Sequence, residues 1–335
     1  MARRVCRPKT SPQLDRTDRI GMRPAQAGLF CFGVALDNHE YMHVMNNETT
    51  GSPSPLRQTV IPVQADTNSY FELLCVQPAA PSTQVVYWLP AMGVPARHYL
   101  PLAESLAEQG IAVVLHEWRG IGSSNHRAGR HDDWGYRELL DDLEAGWLAW
   151  RRQWPQARCW LGGHSLGGQF AAMFSSLHRT EVAGLLMVAS GAPYWRGYRY
   201  GSLLHGAFTL APWLAGMVGY LPGRRIGFGG NEARGVIADW ARSGHTGRYA
   251  AKGLEVDLEQ SMAATRLPVL ALRLRDDWLG PQTSLDWLLG KMPDASRTIQ
   301  VIAPEDMDGL PAGHFEWMKA PAAVANRIVE WMTTH

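Results

Sequence analysis

Ser165 lies in Gly163-His164-Ser165-Leu166-Gly167, a G-x-S-x-G spacing that can present a serine hydroxyl as a nucleophile on a tight turn. The flanking glycines serve the turn. A side chain at either position would strike the neighbouring strand or helix, and the serine between them is expected in a strained backbone conformation. An alcohol is a weak nucleophile at neutral pH, so such a serine needs a histidine base. The histidine in turn needs a carboxylate to fix its tautomer and stabilise the imidazolium. Acyl transfer also requires two backbone N–H donors aimed at the developing oxyanion.

The partners are sought in the chain order serine, acid, histidine, each on a loop at the C-terminal edge of a sheet. Of twelve histidines, His314 in Pro311-Ala-Gly-His-Phe-Glu-Trp317 follows the last expected strand and precedes the C-terminal helix, the place for the base. His164 adjoins the nucleophile and should point away from it, while His116, His126 and His131 precede the serine. Two carboxylates, Asp276 and Asp277, end a strand in Leu272-Arg-Leu-Arg-Asp-Asp-Trp278. Asp277 has the better register, and Asp276, which could cap the turn or pair with Arg275, stands as the alternative. The first oxyanion donor is expected at Leu166 and the second in Leu89-Pro-Ala-Met-Gly93, with Met92 ahead of Ala91.

These residues need a scaffold, and the hydrophobic pattern supplies one. Strands are expected at Val60–Val63, Ser69–Val76, Val85–Leu89, Ala112–His116, Arg158–Leu161, Ala183–Ala189, Val269–Leu274 and Thr298–Ile302. Helices are expected at Tyr99–Glu108, Gly135–Gln153, Gly168–Leu177, Ser284–Leu289 and Pro321–Met332. Alternating strands and helices imply a mostly parallel sheet covered on both faces, an α/β class. Trp134, Trp147, Trp150 and Trp154 fall at roughly helical spacing and read as packing of one helix on the sheet.

On these motifs the chain resembles the α/β-hydrolase superfamily over about residues 57–335. Beyond the serine turn, Pro90-Ala-Met-Gly93 stands where members carry His-Gly-x-Gly, with the His-Gly pair replaced. Glu117-Trp-Arg-Gly-Ile-Gly-Ser-Ser124 stands where they carry Asp-x-Arg-Gly-x-Gly-x-Ser, with glutamate for aspartate. Asp239-Trp-Ala-Arg242 and the Pro-Ala-Met-Gly-Val94 start resemble a poorly characterised bacterial group of predicted hydrolases. The resemblance implies an eight-stranded, mostly parallel sheet with an inserted helical lid. It also implies cleavage of an ester, thioester or amide, since serine and not aspartate is the nucleophile.

The lid would occupy residues 191–265, between core segments 56–190 and 266–335, and its tyrosines, tryptophans and phenylalanines suggest an apolar roof. Trp195, Phe208 and Trp213 are its candidate substrate contacts. Tyr200 to Gly223 carries no charge and approaches the length of a membrane span. A crossing there would separate the halves of the site, so contact with a membrane surface is the most that is expected. The preferred substrate is a small-to-medium hydrophobic ester or thioester. An amide or peptide is the runner-up, and a non-catalytic protein holding a hydrophobic ligand is the reading of another class.

A net charge of +1 and 46% hydrophobic residues give no electrostatic bias towards nucleic acid and allow a substantial core. Cys6, Cys31, Cys75 and Cys159 lack pairing or metal-ligand spacing, which favours a reducing, cytoplasmic setting. No metal or cofactor is expected. Residues 1–55 are polar and Arg/Pro-rich apart from a short apolar run at Ala27–Leu36, and are expected to be a disordered extension or to precede a start at Met45.

Overall fold

The computed structural model describes residues 56–335, and the expectations for residues 1–55, with Cys6, Cys31 and Met45, lie outside them. Strands β1 (Arg57–Gln64), β2 (Tyr70–Gln77), β3 (Gln84–Leu89), β4 (Ala112–Leu115), β5 (Arg158–His164) and β6 (Gly184–Val188) form one sheet with two later strands. A short ribbon of β7 (Leu221–Pro222) and β8 (Asn231–Glu232) stands apart, and β9 (Val269–Leu274) and β10 (Arg297–Ile302) complete the eight. The order is β1-β2-β4-β3-β5-β6-β9-β10, with β2 antiparallel to both its neighbours and the other pairs parallel.

The interior strands β3 to β6 and β9 are apolar nearly throughout, as strands buried on both faces must be. Helices α1 (Leu100–Glu108) and α9 (Ala322–Thr334) pack on one face. Helices α2 (Tyr136–Arg151), α3 (Leu166–Leu177) and α8 (Gln282–Gly290) pack on the other. Every expected core strand and helix is present, with ends shifted by a few residues. Trp147 and Trp150 on α2 are buried against Tyr87 of β3. Cys75 and Cys159 are buried free thiols.

Between β6 and β9 the chain builds α4 (Gly201–Val218), α5 (Gly223–Ile226), α6 (Arg234–Thr246) and α7 (Leu258–Ala263). Helix α4 packs on α6 through the Phe208 ring, 4.6 Å from that of Trp240, and through Gly244, where a Cβ would lie 2.5 Å from Phe208. The Asp239-Trp-Ala-Arg242 motif holds this insertion to the core. Asp239 Oδ2 accepts the N–H of Tyr136 at 2.8 Å, satisfying a free donor at the start of α2, and Oδ1 meets Arg242 at 2.6 Å. Among the described residues, no helix is long and apolar enough to cross a membrane.

Candidate active site

β5 runs straight into α3, and Ser165 is the residue at the corner, with φ 54° and ψ −115°. An L-residue adopts that conformation only when the surroundings impose it. They do so here by close approach. A Cβ on Gly163 would lie 2.3 Å from the carbonyl carbon of Gly167, and one on Gly167 would lie 2.0 Å from the Leu89 oxygen. Ser165 N–H donates to Val188 O at 3.1 Å, fixing the corner to β6. Leu166 opens α3, where a backbone N–H has no intrahelical acceptor.

Asp277 follows β9 and is buried. Its Oδ1 accepts the N–H groups of Leu279 (2.8 Å) and Gly280 (3.0 Å), and its Oδ2 lies 2.8 Å from His314 Nδ1. With both carboxylate oxygens engaged, Asp277 fixes the ring so that Nε2 is the free nitrogen. Asp276 does something else. Its N–H donates to Ala312 O (2.9 Å) and its carboxylate accepts the Ala312 N–H (3.2 Å), binding the loop that carries His314. The His314 and His164 ring centroids are 4.9 Å apart, which sets the imidazole beside the end of β5, one residue before Ser165.

The loop after β3 is anchored by two aromatic residues that the spacing of motifs does not single out. Trp118 Nε1 donates to Pro90 O (2.9 Å), and Ala91 N–H donates to the Tyr99 hydroxyl (2.8 Å). That hydroxyl in turn lies 2.8 Å from His164 Nδ1. One phenol oxygen thus meets both the Ala91 N–H and the His164 ring. Burial, with the neighbouring His314, holds the His164 pKa well below the usual histidine value. Ala91 is thereby committed, whereas Met92 stands next to it in the same loop. Gly93 (φ 76°) would meet Gly230 N at 2.1 Å if it bore a Cβ, so the insertion presses directly on this loop.

Met92 and Leu166 share a small cavity with Trp118, Trp134, Glu232 and Val236. Trp195, Phe208 and Trp213 do not line it. Phe208 is buried between α4 and α6, Trp195 packs on His205 (5.1 Å), and Trp213 is 64% exposed. The wall includes the carboxylate of Glu232, which accepts Gly230 N–H at 2.8 Å and whose pKa is raised by burial.

Glu117, where the superfamily pattern has aspartate, accepts the N–H groups of Ala96 (3.0 Å) and Ser123 (3.4 Å) and joins two loops; burial pushes its pKa up to about 7. Arg119 grips buried Asp142 through Nε (2.8 Å) and NH2 (2.6 Å). Elsewhere Ser69, His126 and Asp132 repeat a serine-histidine-aspartate series, with Oγ–Nε2 3.0 Å and Nδ1–Oδ1 2.8 Å. Ser69 is closed to solvent and its hydroxyl donates to Asp66 at 2.6 Å, so His126 meets an oxygen whose proton is already given away. Among the described residues no cluster of His, Cys, Asp or Glu has the grouping to hold a metal ion.

An eight-stranded sheet of this order, with a strained serine between β5 and α3, decides the fold. The chain has the α/β-hydrolase fold. Residues 80–224 match the family model described as serine aminopeptidase, S33. Solved structures repeat this fold at low identity. A thermophilic esterase from Thermogutta terrifontis matches with a TM-score of 0.53 and 18% identity over 83% of this chain and 98% of its own. The thioesterase domain from the curacin biosynthetic pathway gives 0.54 and 16%, over 82% and 99%. The acylaminoacyl peptidase of Pyrococcus horikoshii gives 0.53 and 13%, over 84% of this chain and 41% of its own. No curated protein sequence matches the chain.

Proposed function

We infer that this α/β-hydrolase is a serine hydrolase in which Ser165, His314 and Asp277 act as nucleophile, base and orienting acid. The observation that carries this is the pairing of a strained Ser165 at the strand-helix corner with a buried His314–Asp277 contact of 2.8 Å. In the first step Ser165 Oγ attacks the substrate carbonyl carbon and its proton passes to His314 Nε2. Asp277, accepting from Nδ1, stabilises the imidazolium. The N–H groups of Leu166 and Met92 hold the oxyanion; the Ala91 N–H, tied to Tyr99, is the less suited of the two loop donors. His314 then returns the proton to the leaving group as the acyl-enzyme forms. Water, activated by the same imidazole, hydrolyses that ester and restores Ser165.

The preferred substrate is a hydrophobic carboxylic ester or thioester of small to medium size, cleaved beneath the insertion over residues 191–265, which acts as a lid. Met92, Trp118, Trp134 and Val236 line a small cavity next to Leu166 that Ser165 and His314 do not themselves line, and this apolar surrounding beside the serine turn supports an apolar substrate group. One observation favours an amide with a free amine instead: Glu232 stands in the same wall and would pair with an ammonium group. Fluorophosphonate labelling, followed by matched ester, thioester and aminoacyl-amide substrates, tests both. Labelling lost in Ser165→Ala, with ester turnover well above amide turnover, supports the first reading. Amide turnover that collapses in Glu232→Gln would replace it by the second, and no labelling of folded protein would remove catalysis altogether.

A further inference from the structure

Helix α4 turns much of its apolar surface outwards. Leu203, Leu210, Trp213 and Met217 are 56%, 64%, 64% and 57% exposed, and Tyr200 immediately before the helix is 62% exposed. Leu203, Leu210 and Met217 are seven residues apart, and Trp213 falls one turn from Leu210 and Met217. At about 100° per residue these side chains form one stripe along a helix roughly 27 Å long. The opposite face, through Phe208 and Ala215, is already used against the rest of the insertion. A continuous exposed apolar patch of this kind marks a contact surface.

Its charge says what the contact is. From Gly191 to Asn231 the sequence has no Asp or Glu and four arginines. Arg196 and Arg199 precede α4, Arg224 and Arg225 follow it, and all four are exposed. Arg196 lies over the Trp195 ring at 5.0 Å and Arg199 over Tyr200 at 5.4 Å, so cations and interfacial-type aromatics are paired before the helix. Ile226, beside Arg225, is 45% exposed and extends the apolar surface. Two acidic residues before α2 are already engaged, Asp132 by His126 (2.8 Å) and Asp133 by Arg234 (3.3 Å).

We propose that α4 is an interfacial helix that seats the protein on an anionic lipid surface, its stripe entering the headgroup boundary and its flanking arginines meeting lipid phosphates. This holds whatever the chemistry at Ser165. A second copy placed stripe to stripe would bring two acid-free, arginine-bearing segments together and repel. Residues 1–55 carry seven Lys/Arg against five Asp/Glu, a net basic segment that offers the arginines no complement.

Co-sedimentation of the full chain with vesicles of phosphatidylglycerol and phosphatidylcholine, against phosphatidylcholine alone, tests this. Binding to the anionic vesicles at least tenfold stronger, weakened by salt, is expected. Leu210→Asp with Met217→Asp should reduce it at least tenfold, and Arg196, Arg199, Arg224 and Arg225 changed together to Gln should remove its salt dependence. Thermal melting beside the wild type checks that these surface variants stay folded. No binding, or binding unchanged in the Leu210→Asp/Met217→Asp variant, overturns the proposal. So does a dimer in sedimentation velocity that this variant dissolves without any vesicle binding, or binding that appears only once residues 1–55 are removed.

Discussion

The Tyr99 hydroxyl accepts the Ala91 N–H at 2.8 Å and lies 2.8 Å from His164 Nδ1, so one phenol joins the loop after β3 to the residue preceding Ser165. If that loop supplies an oxyanion donor, its distance from the nucleophile is set by this bridge. Tyr99→Phe should therefore lower kcat by about 10–100-fold, less than the roughly 10²–10³-fold effect of losing an oxyanion donor outright, with KM little changed. The unpaired Ala91 N–H should also cost about 1–3 kcal/mol of stability. Steady-state kinetics beside thermal melting separates the two effects, and a fall in Tm with kcat intact would reduce Tyr99 to a core residue.

The adjacent aspartates should behave very differently when changed to asparagine. Asp277→Asn removes the acceptor that selects the His314 tautomer and is expected to lower kcat about 10⁴-fold. Asp276→Asn weakens a partly buried tie to Ala312, so kcat should change by less than about tenfold and stability by about 1 kcal/mol. Equal losses in the two variants would contradict the assignment of roles.

Acid stability should depend on His116. Burial lowers its pKa to about 3, so the native protein keeps it neutral while the unfolded chain takes up a proton below about pH 6.5. Its contribution is complete above pH 6.5 and is lost as the pH falls towards 3, at up to about 1.4 kcal/mol per unit. Glu117 acts in the other direction. With its pKa raised to about 7, it favours the folded state at low pH and loses that contribution as the pH rises to 7. Melting followed from pH 3 to 8 should show a shallower acid limb in His116→Gln, and in Glu117→Gln a gain relative to wild type that grows towards neutral pH.

Asp239→Ala should loosen the insertion. The change leaves the Tyr136 N–H without its acceptor and Arg242 without its carboxylate, for a loss of about 1–3 kcal/mol. Limited proteolysis should then cut within residues 191–265 before the core is attacked. Simultaneous digestion of both parts would show that the insertion does not open separately.

The core and the corner serine were legible in the sequence because their requirements are local. Apolar runs at β3, β5, β6 and β9 have no other stable place than an interior sheet, and Gly163 and Gly167 mark a turn too tight for side chains. The register after β9 separated Asp277 from Asp276 for the same reason. Tyr99 could not be read this way, since its role depends on a meeting of three distant segments that no spacing announces. The aromatic residues of the insertion misled through composition. Phe208 and Trp213 lie five residues apart on α4, so one became core and the other surface, and which was which depended on where α6 packed.

The backbone at Ser165 shows what the active site asks of the rest of the molecule. Its φ of 54° is one that glycine adopts freely and a side chain adopts only under constraint. The proposed nucleophile is thus a poor choice for folding, and the fold would be more secure with glycine in its place. Ser165→Gly should melt at a higher temperature than the wild type while losing labelling entirely. Selection for durability alone would discard this serine, so the proposed nucleophilic role gives the reason for a residue that folding by itself does not favour.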